Sequence, residues 1–333
     1  MEKIILGHGS GGRLMHSLIR DTLLKKLNNP ILKELGDGAF IDYKEKLAFT
    51  TDSFVVNPIF FPGGDIGKLS VFGTVNDLAM MGARPEYLSL GLIIEEGLEI
   101  KTLNKIVDSI AGAAKSCGVK VVTGDLKVVE RGAADAIFIN TSGIGRIIAK
   151  ERLSIKKIKP GDKIILTGDI GRHGLAVLTK RNDLDLGLGI TSDCAPLSNM
   201  LTPILTRASG IRFMRDPTRG GLATTLNEIA EASGLGISID EKSIPVSQKV
   251  RAAGELLGID PLYVACEGRA VIVVEVKEAK NILAALRRHP LGKGSRSVGE
   301  ITSGRKGRVI LKTIFGTERL VDMLASDPLP RIC

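Results

Sequence analysis

Short apolar runs alternate with longer runs of helical period on both sides of a basic stretch at 150–162 that also carries proline and glycine. A strand buries every second residue and a helix every third or fourth, so this alternation restricts the chain to sheets layered against helices. Before the stretch, Leu14, Leu18, Ile19, Leu23, Leu24 and Leu27 mark one helix face. Strands are expected at 40–41, 47–51 and 88–94, with a helix at 66–81 between the last two, stopped by Gly82 and Pro85. A helix at 102–117, closed by Gly118, precedes strands at 119–123 and 136–144. Beyond the stretch, strands are expected at 163–167, 236–239, 270–276 and 308–311, and helices near 197–208, 222–233, 246–257 and 277–287. At 333 residues the chain is long for a single core. The reading is two α/β (α+β) domains, 1–150 and 151–320, followed by a flexible tail at 321–333.

Composition removes several functions. The net charge is +9, yet aromatics are only 4%, with no Trp and three Tyr, so platforms for stacking single strands are scarce. Basic pairs such as Lys156-Lys157, Arg287-Arg288 and Arg305-Lys306 are scattered, and no groove-reading motif accompanies them. No nucleic acid is expected as a partner; solvated surface accounts for the charge first, and an anionic small molecule such as a nucleotide, or an acidic protein partner, comes next. The apolar runs at 88–94 and 270–274 are too short to cross a bilayer, and Gly7-His8-Gly9 interrupts the first residues before a signal segment develops. No membrane is expected and the location is read as cytoplasmic. Cys117, Cys194, Cys266 and Cys333 are widely spaced, which disfavours a zinc site or a disulfide framework.

The chemistry is expected in aspartates placed after strands or at helix starts. They are Asp37 (Gly36-Asp37-Gly38-Ala39), Asp52 (Thr50-Thr51-Asp52), Asp77 (Asn76-Asp77-Leu78-Ala79), Asp125 (Thr123-Gly124-Asp125) and Asp216 (Asp216-Pro217-Thr218-Arg219-Gly220-Gly221). Carboxylates gathered from several loops are how a protein holds magnesium against polyphosphate. Taken singly, each is also an ordinary turn or cap residue. Asp77 is the odd one, a lone carboxylate inside an apolar helical run, where it needs a partner. The glycine loop Gly7 to Gly12 has neither the Lys-Ser/Thr of a Walker loop nor dinucleotide spacing. Cys333, behind Pro328 and Pro330, sits on a segment that could span about 30 Å from residue 323, which suits a sulfur that carries a group between two places.

These five acidic motifs together resemble the ATP-binding signature of the superfamily of aminoimidazole ribonucleotide synthetase, selenophosphate synthetase and thiamine-monophosphate kinase. With His8-Gly9-Ser10-Gly11-Gly12 and Pro330-Arg331-Ile332-Cys333, the chain resembles the hydrogenase-maturation carbamoyl dehydratases within it. The resemblance implies a two-domain PurM-like fold that forms a homodimer through the first domain's sheet. It implies that a HypF-type carbamoyltransferase loads Cys333, and that ATP with Mg2+ drives dehydration of the thiocarboxamide to a thiocyanate. The cyano group would then pass to iron on a HypC–HypD complex. It implies ATP and magnesium handling by Asp37, Asp52, Asp77, Asp125 and Asp216, cofactor binding by Asn76, and proton relay by Lys127 and Glu267. From the residues alone, Lys127 reads first as a surface lysine and Glu267 as a salt-bridge partner of Arg269. Arg331, read on an extended tail, is expected to guide it toward phosphates. Rival activities are selenophosphate synthesis, for which residues 7–13 offer no reactive cysteine, and thiamine-phosphate phosphorylation, which has no need of a tail thiol. A non-catalytic metallochaperone or nucleic-acid-binding module is the reading from another class.

Overall fold

The computed structural model describes residues 3–8, 17–32, 43–184, 186–323, 329 and 331–333. The glycine loop from Gly9 onward, Asp37 and the expected strand at 40–41 lie outside the described residues. The helical segment near the start winds with π spacing over Ile19–Leu24 before a short α turn at Lys25–Leu27.

The first sheet contains β1 (Leu47–Phe54), β2 (Ala83–Glu95), β3 (Lys120–Val129) and β4 (Ile137–Ile147) in the order β1-β4-β2-β3. Only the β2/β3 step is parallel, and helix α2 (Ile100–Cys117) makes the crossover it requires. Pro85, expected to stop a helix, instead lies within β2 beside a register shift between Pro85 and Tyr87. A bulge is where a strand tolerates the missing proline N–H.

Helix α1 (Ile66–Met80) starts on Asp65, whose side chain accepts from the Lys68 amide at 3.0 Å. Thirteen of its fifteen residues are buried, so it has no solvent face. The cause is its position: it packs on the first sheet and on α2, while Ala79 and Met80 enter a core formed by the second domain. One face of the first sheet is covered by α1 and α2. The other is open, with Phe49 68% and Ile93 43% exposed.

The second sheet has seven strands: β5 (Lys163–Leu166), β6 (Ile211–Arg215), β7 (Gly236–Asp240), β8 (Val271–Val274), β9 (Arg296–Thr302), β10 (Val309–Lys312) and β11 (Glu318–Val321). Their order is β11-β10-β7-β9-β5-β8-β6, antiparallel except for β10/β7. Five helices accompany it: α3 (Arg172–Arg181), α4 (Ser198–Arg207), α5 (Gly221–Ser233), α6 (Gln248–Leu257) and α7 (Ala279–Arg287). Strand alternation separates two layers: Val271 and Val273 join the core under α5, whereas Ile272 and Val274 join the one under α4 and α7. Val321 closes the last strand and is the first residue of the expected tail, so the strand runs one residue into it.

Candidate active site

β1 places Thr50 and Asp52 two residues apart, on the face turned to α1. Thr50 Oγ1 donates to Asp77 Oδ2 at 2.9 Å, which supplies the partner that a carboxylate in an apolar helix needs. A Cβ on Gly73 would sit 2.8 Å from the Phe54 ring, so glycine there lets α1 lie close on β1. Asp216 follows β6 directly, and Arg219, three residues on, brings Nη2 within 3.5 Å of Asp52 Oδ1. Glu267 arrives on the turn before β8. A Cβ on Gly268 would meet the Asp193 carbonyl oxygen at 1.9 Å, so that turn is pressed against the 192–195 loop.

The four carboxyls sense one another. Burial, then Asp77, pushes the Asp216 carboxyl up to about 7. Burial, then Asp216, Asp193, Asp52 and Asp77, holds Glu267 well above the usual carboxylate range. Asp77 is raised by burial, against the Thr50 hydrogen bond, and Asp52 by burial, against its bond from the Ser53 amide. Arg219 offsets little because its side chain is largely exposed and its charge is screened by water. Glu267 Oε1 is buried with no hydrogen-bond partner. Arg269 does not pair with it: the guanidinium binds Asp169 Oδ1 at 2.5 Å and lies 3.7 Å from Asp193 Oδ2. A buried, unpartnered carboxyl among like charges keeps its proton or awaits a donor or cation from outside.

Asn76 is committed differently from what the resemblance implied. Its Nδ2 donates to the carbonyls of Ala195 (3.0 Å) and Glu267 (3.2 Å), and its Oδ1 accepts from the Leu197 amide (2.8 Å). It clasps the second domain's loops rather than facing the site, holding Glu267 beside Asp77. Asp125 and Lys127 are not brought to the cluster within one chain. Asp125 shares a row with Gly91, Asn140 and Ser53 on the open sheet face, whereas Asp52 points to the covered face. β3 is three strand steps from β1, about 14 Å. There Lys127 Nζ pairs with Asp125 Oδ1 at 3.1 Å, both side chains being exposed.

The described part of the tail is docked. Leu329 and Ile332 are buried in the core that runs from the first domain to α3, and Cys333 packs against that core. The Val55 amide donates to the Cys333 carbonyl at 3.1 Å, so the cysteine lies where β1 leaves the sheet, three residues past Asp52 and about 10 Å along the strand. Arg331 has φ 56°, a left-handed turn that breaks the extended geometry expected for it. Its guanidinium binds Asp135 (2.9 Å) and the Val55 carbonyl (3.1 Å), so it anchors the tail rather than reaching toward phosphates. Sequence reasoning gave no role to His173, Ser192 or Asp193, and saw Arg269 only as a partner for Glu267. The polar triplet Ser192-Asp193-Cys194 ahead of a helix and the histidine in Gly171-Arg172-His173-Gly174 were the available signals.

Known proteins place this arrangement in a class. The AIR synthase related protein, N-terminal domain, matches residues 35–147, and its C-terminal domain matches 159–312. Two such domains with acidic loops between them define a PurM-like α/β protein. The carbamoyl dehydratase HypE of Cupriavidus necator is 47% identical over 333 residues, spanning 99% of this chain and 95% of that one. The crystal structure of the hydrogenase maturation protein HypE in complex with ATP superposes with a TM-score of 0.96 at 46% identity, covering 99% of both chains. A HypE–HypF complex structure matches at TM-score 0.82 and 45% identity, over 92% of this chain and 100% of that one. The chain belongs to the HypE carbamoyl dehydratase family. Kinship at this level over nearly the full length sets aside the thiamine-phosphate kinase and selenophosphate synthetase readings.

Proposed function

We propose that the chain uses ATP to dehydrate a carbamoyl group carried on the Cys333 thiol, making the thiocyanate that supplies cyanide to hydrogenase iron. The observation that carries this is the seating of Cys333 at the exit of β1, the strand that presents Asp52 to the carboxylate cluster. Amide oxygen is a poor leaving group. Transfer of the γ-phosphoryl to it makes phosphate the group that departs; the C–O bond breaks, the nitrogen gives up two protons, and ADP and phosphate carry the balance.

The buried Glu267 suits proton transfer because burial, and then the neighbouring carboxylates, hold its proton more tightly than an ordinary carboxyl holds one. Asp52, Asp77 and Asp216 suit Mg2+, which would offset their mutual repulsion; Asp37 and Asp125 complete the set implied by resemblance. Bound there, magnesium would neutralise charge on the transferring phosphoryl group. Among the described residues no group of three His, Cys, Asp or Glu is placed to hold a metal ion by itself, so phosphate oxygens would have to complete the ion's coordination. The HypE–ATP complex supports ATP as the nucleotide.

The open face of the first sheet supports a homodimer, since Phe49 and Ile93 would be covered by a second copy. Asp125 and Lys127 stand on that face, so they would come under cover there and act from within the dimer. The HypE–HypF structure supports a HypF-type protein as the source of the carbamoyl group. A HypC–HypD complex is the proposed acceptor of the cyano group. The test is to incubate the chain with carbamoyl donor and Mg-ATP and weigh its C-terminal peptide. A carbamoyl mass on Cys333, followed by loss of one water, is expected. The same two changes in Cys333→Ala would refute the carrier role.

A further inference from the structure

Two surfaces hold the docked tail: the end of β1, and α3 in the second domain. On the α3 side, His173 is wholly buried, with Nε2 2.9 Å from the Ile332 carbonyl oxygen and Nδ1 2.8 Å from Ser192 Oγ. A carbonyl only accepts, so Nε2 carries the proton. Burial lowers the proton affinity of the ring and favours the neutral form, so Nδ1 accepts from the Ser192 hydroxyl. Ser192 Oγ in turn accepts from the Cys194 amide at 3.0 Å. Ser192 thus fixes the tautomer that His173 needs to hold the tail. The same loop supports the acidic site, because Asp193 Oδ1 accepts from the Glu267 amide at 3.3 Å. The Phe61 ring stands edge-on to the imidazole, centroids 5.3 Å apart, and leaves it little room to turn. Gly174 admits the tail behind it: a Cβ there would touch Leu329 Cδ1 at 3.4 Å and Val264 at 2.6 Å.

We propose that His173 is a positioning residue for the carrier thiol, holding the main-chain carbonyl of Ile332 and so fixing where Cys333 sits, whatever group the sulfur bears. The role rests on the carrier reading above. Recognition runs through backbone and through the Ile332 side chain, so it is indifferent to cargo. That is what a carrier needs if it docks carbamoylated and leaves cyanated.

The test compares wild type with His173→Leu and His173→Gln, all as full chains without nucleotide or donor. Cys333 is alkylated with iodoacetamide and the C-terminal peptide is weighed over time. Losing one buried hydrogen bond should loosen docking by roughly tenfold, so His173→Leu should react about ten times faster than wild type. Gln can donate to the carbonyl and accept from Ser192, so His173→Gln should stay within about twofold of wild type. On the pre-carbamoylated chain, His173→Leu should slow water loss and leave the KM for ATP unchanged. An unchanged alkylation rate in a folded His173→Leu overturns the proposal. If that variant does not fold, histidine ring 15N spectra of wild type decide. A slowly exchanging N–H present in the full chain and lost when 331–333 are removed supports it; the same signal in both overturns it. Wild type that never loses water would refute the dehydratase reading, while the alkylation and spectral results would still report on the latch.

Discussion

At the residue scale, Glu267 bears the greatest strain of charge and the clearest consequence. Replacing it with Gln keeps its shape and removes its ability to accept a proton. Glu267→Gln should slow water loss from the carbamoylated chain by about 100-fold or more, with carbamoylation of Cys333 unchanged, as followed by peptide mass. An equal loss in both steps would mean that the residue serves tail loading instead. Asp216 gives a pH signature. Its carboxyl moves from an ordinary 3.8 to about 7 in the fold, so the folded state binds the proton more tightly than the unfolded one. Stability from this group is complete below about pH 4 and is lost as pH rises through 7. Asp216→Asn should therefore melt several degrees above wild type at pH 8 and close to it at pH 4, without nucleotide or metal. Magnesium should narrow the gap at pH 8 by stabilising the ionised wild type. Asp52, Asp77 and Asp216 stood out in the sequence by their number and Asp77 by its place in an apolar helical run, but each alone also fitted a turn or cap, and their convergence was not legible. Glu267 was readable only through resemblance, since nothing local distinguishes it from a partner of Arg269. His173 was not readable, because its two partners lie 19 and 159 positions away.

At the element scale, sequence reading succeeded where period and caps agree. Helix α2, with its apolar stripe and Gly118 in the left-handed conformation, begins two residues before the expected start and ends where expected. It failed where sequence is short or interrupted. β6 is five residues with Arg at two positions, β9 contains Gly299 beside a register shift, β11 is a polar edge strand, and α3 carries Gly174 in its first turn. Each is specified by the sheet or the tail it meets, not by its own pattern. α1 shows the opposite case, a helix legible as apolar whose burial on all sides marks it as the joint between domains. The open face of the first sheet can be tested directly. If the proposed homodimer forms through this face, wild type should sediment as two copies and Phe49→Lys as one, with the melting temperature nearly unchanged at this exposed site. Two copies persisting in the variant would place the contact elsewhere.

At the scale of the whole molecule, the two domains and the tail form one device. α1 carries Asp77 on the first domain and, through Asn76, holds the loop that bears Glu267 on the second. The tail crosses the same junction, clamped by Asp135 and Val55 on one side and by His173 on the other. Alternation of strands and helices was enough to divide the chain into two layered domains. Convergence of their loops was not, because it depends on register and packing between residues far apart in sequence. The seating of Cys333 at the exit of β1 was likewise invisible, although the cysteine itself was conspicuous. The most direct test is a single turnover of the chain already carbamoylated on Cys333 and freed of donor. On adding Mg-ATP, the C-terminal peptide should lose one water for each ADP formed, at the same rate. ADP appearing while the peptide mass stays constant, or water loss without nucleotide, would contradict the account.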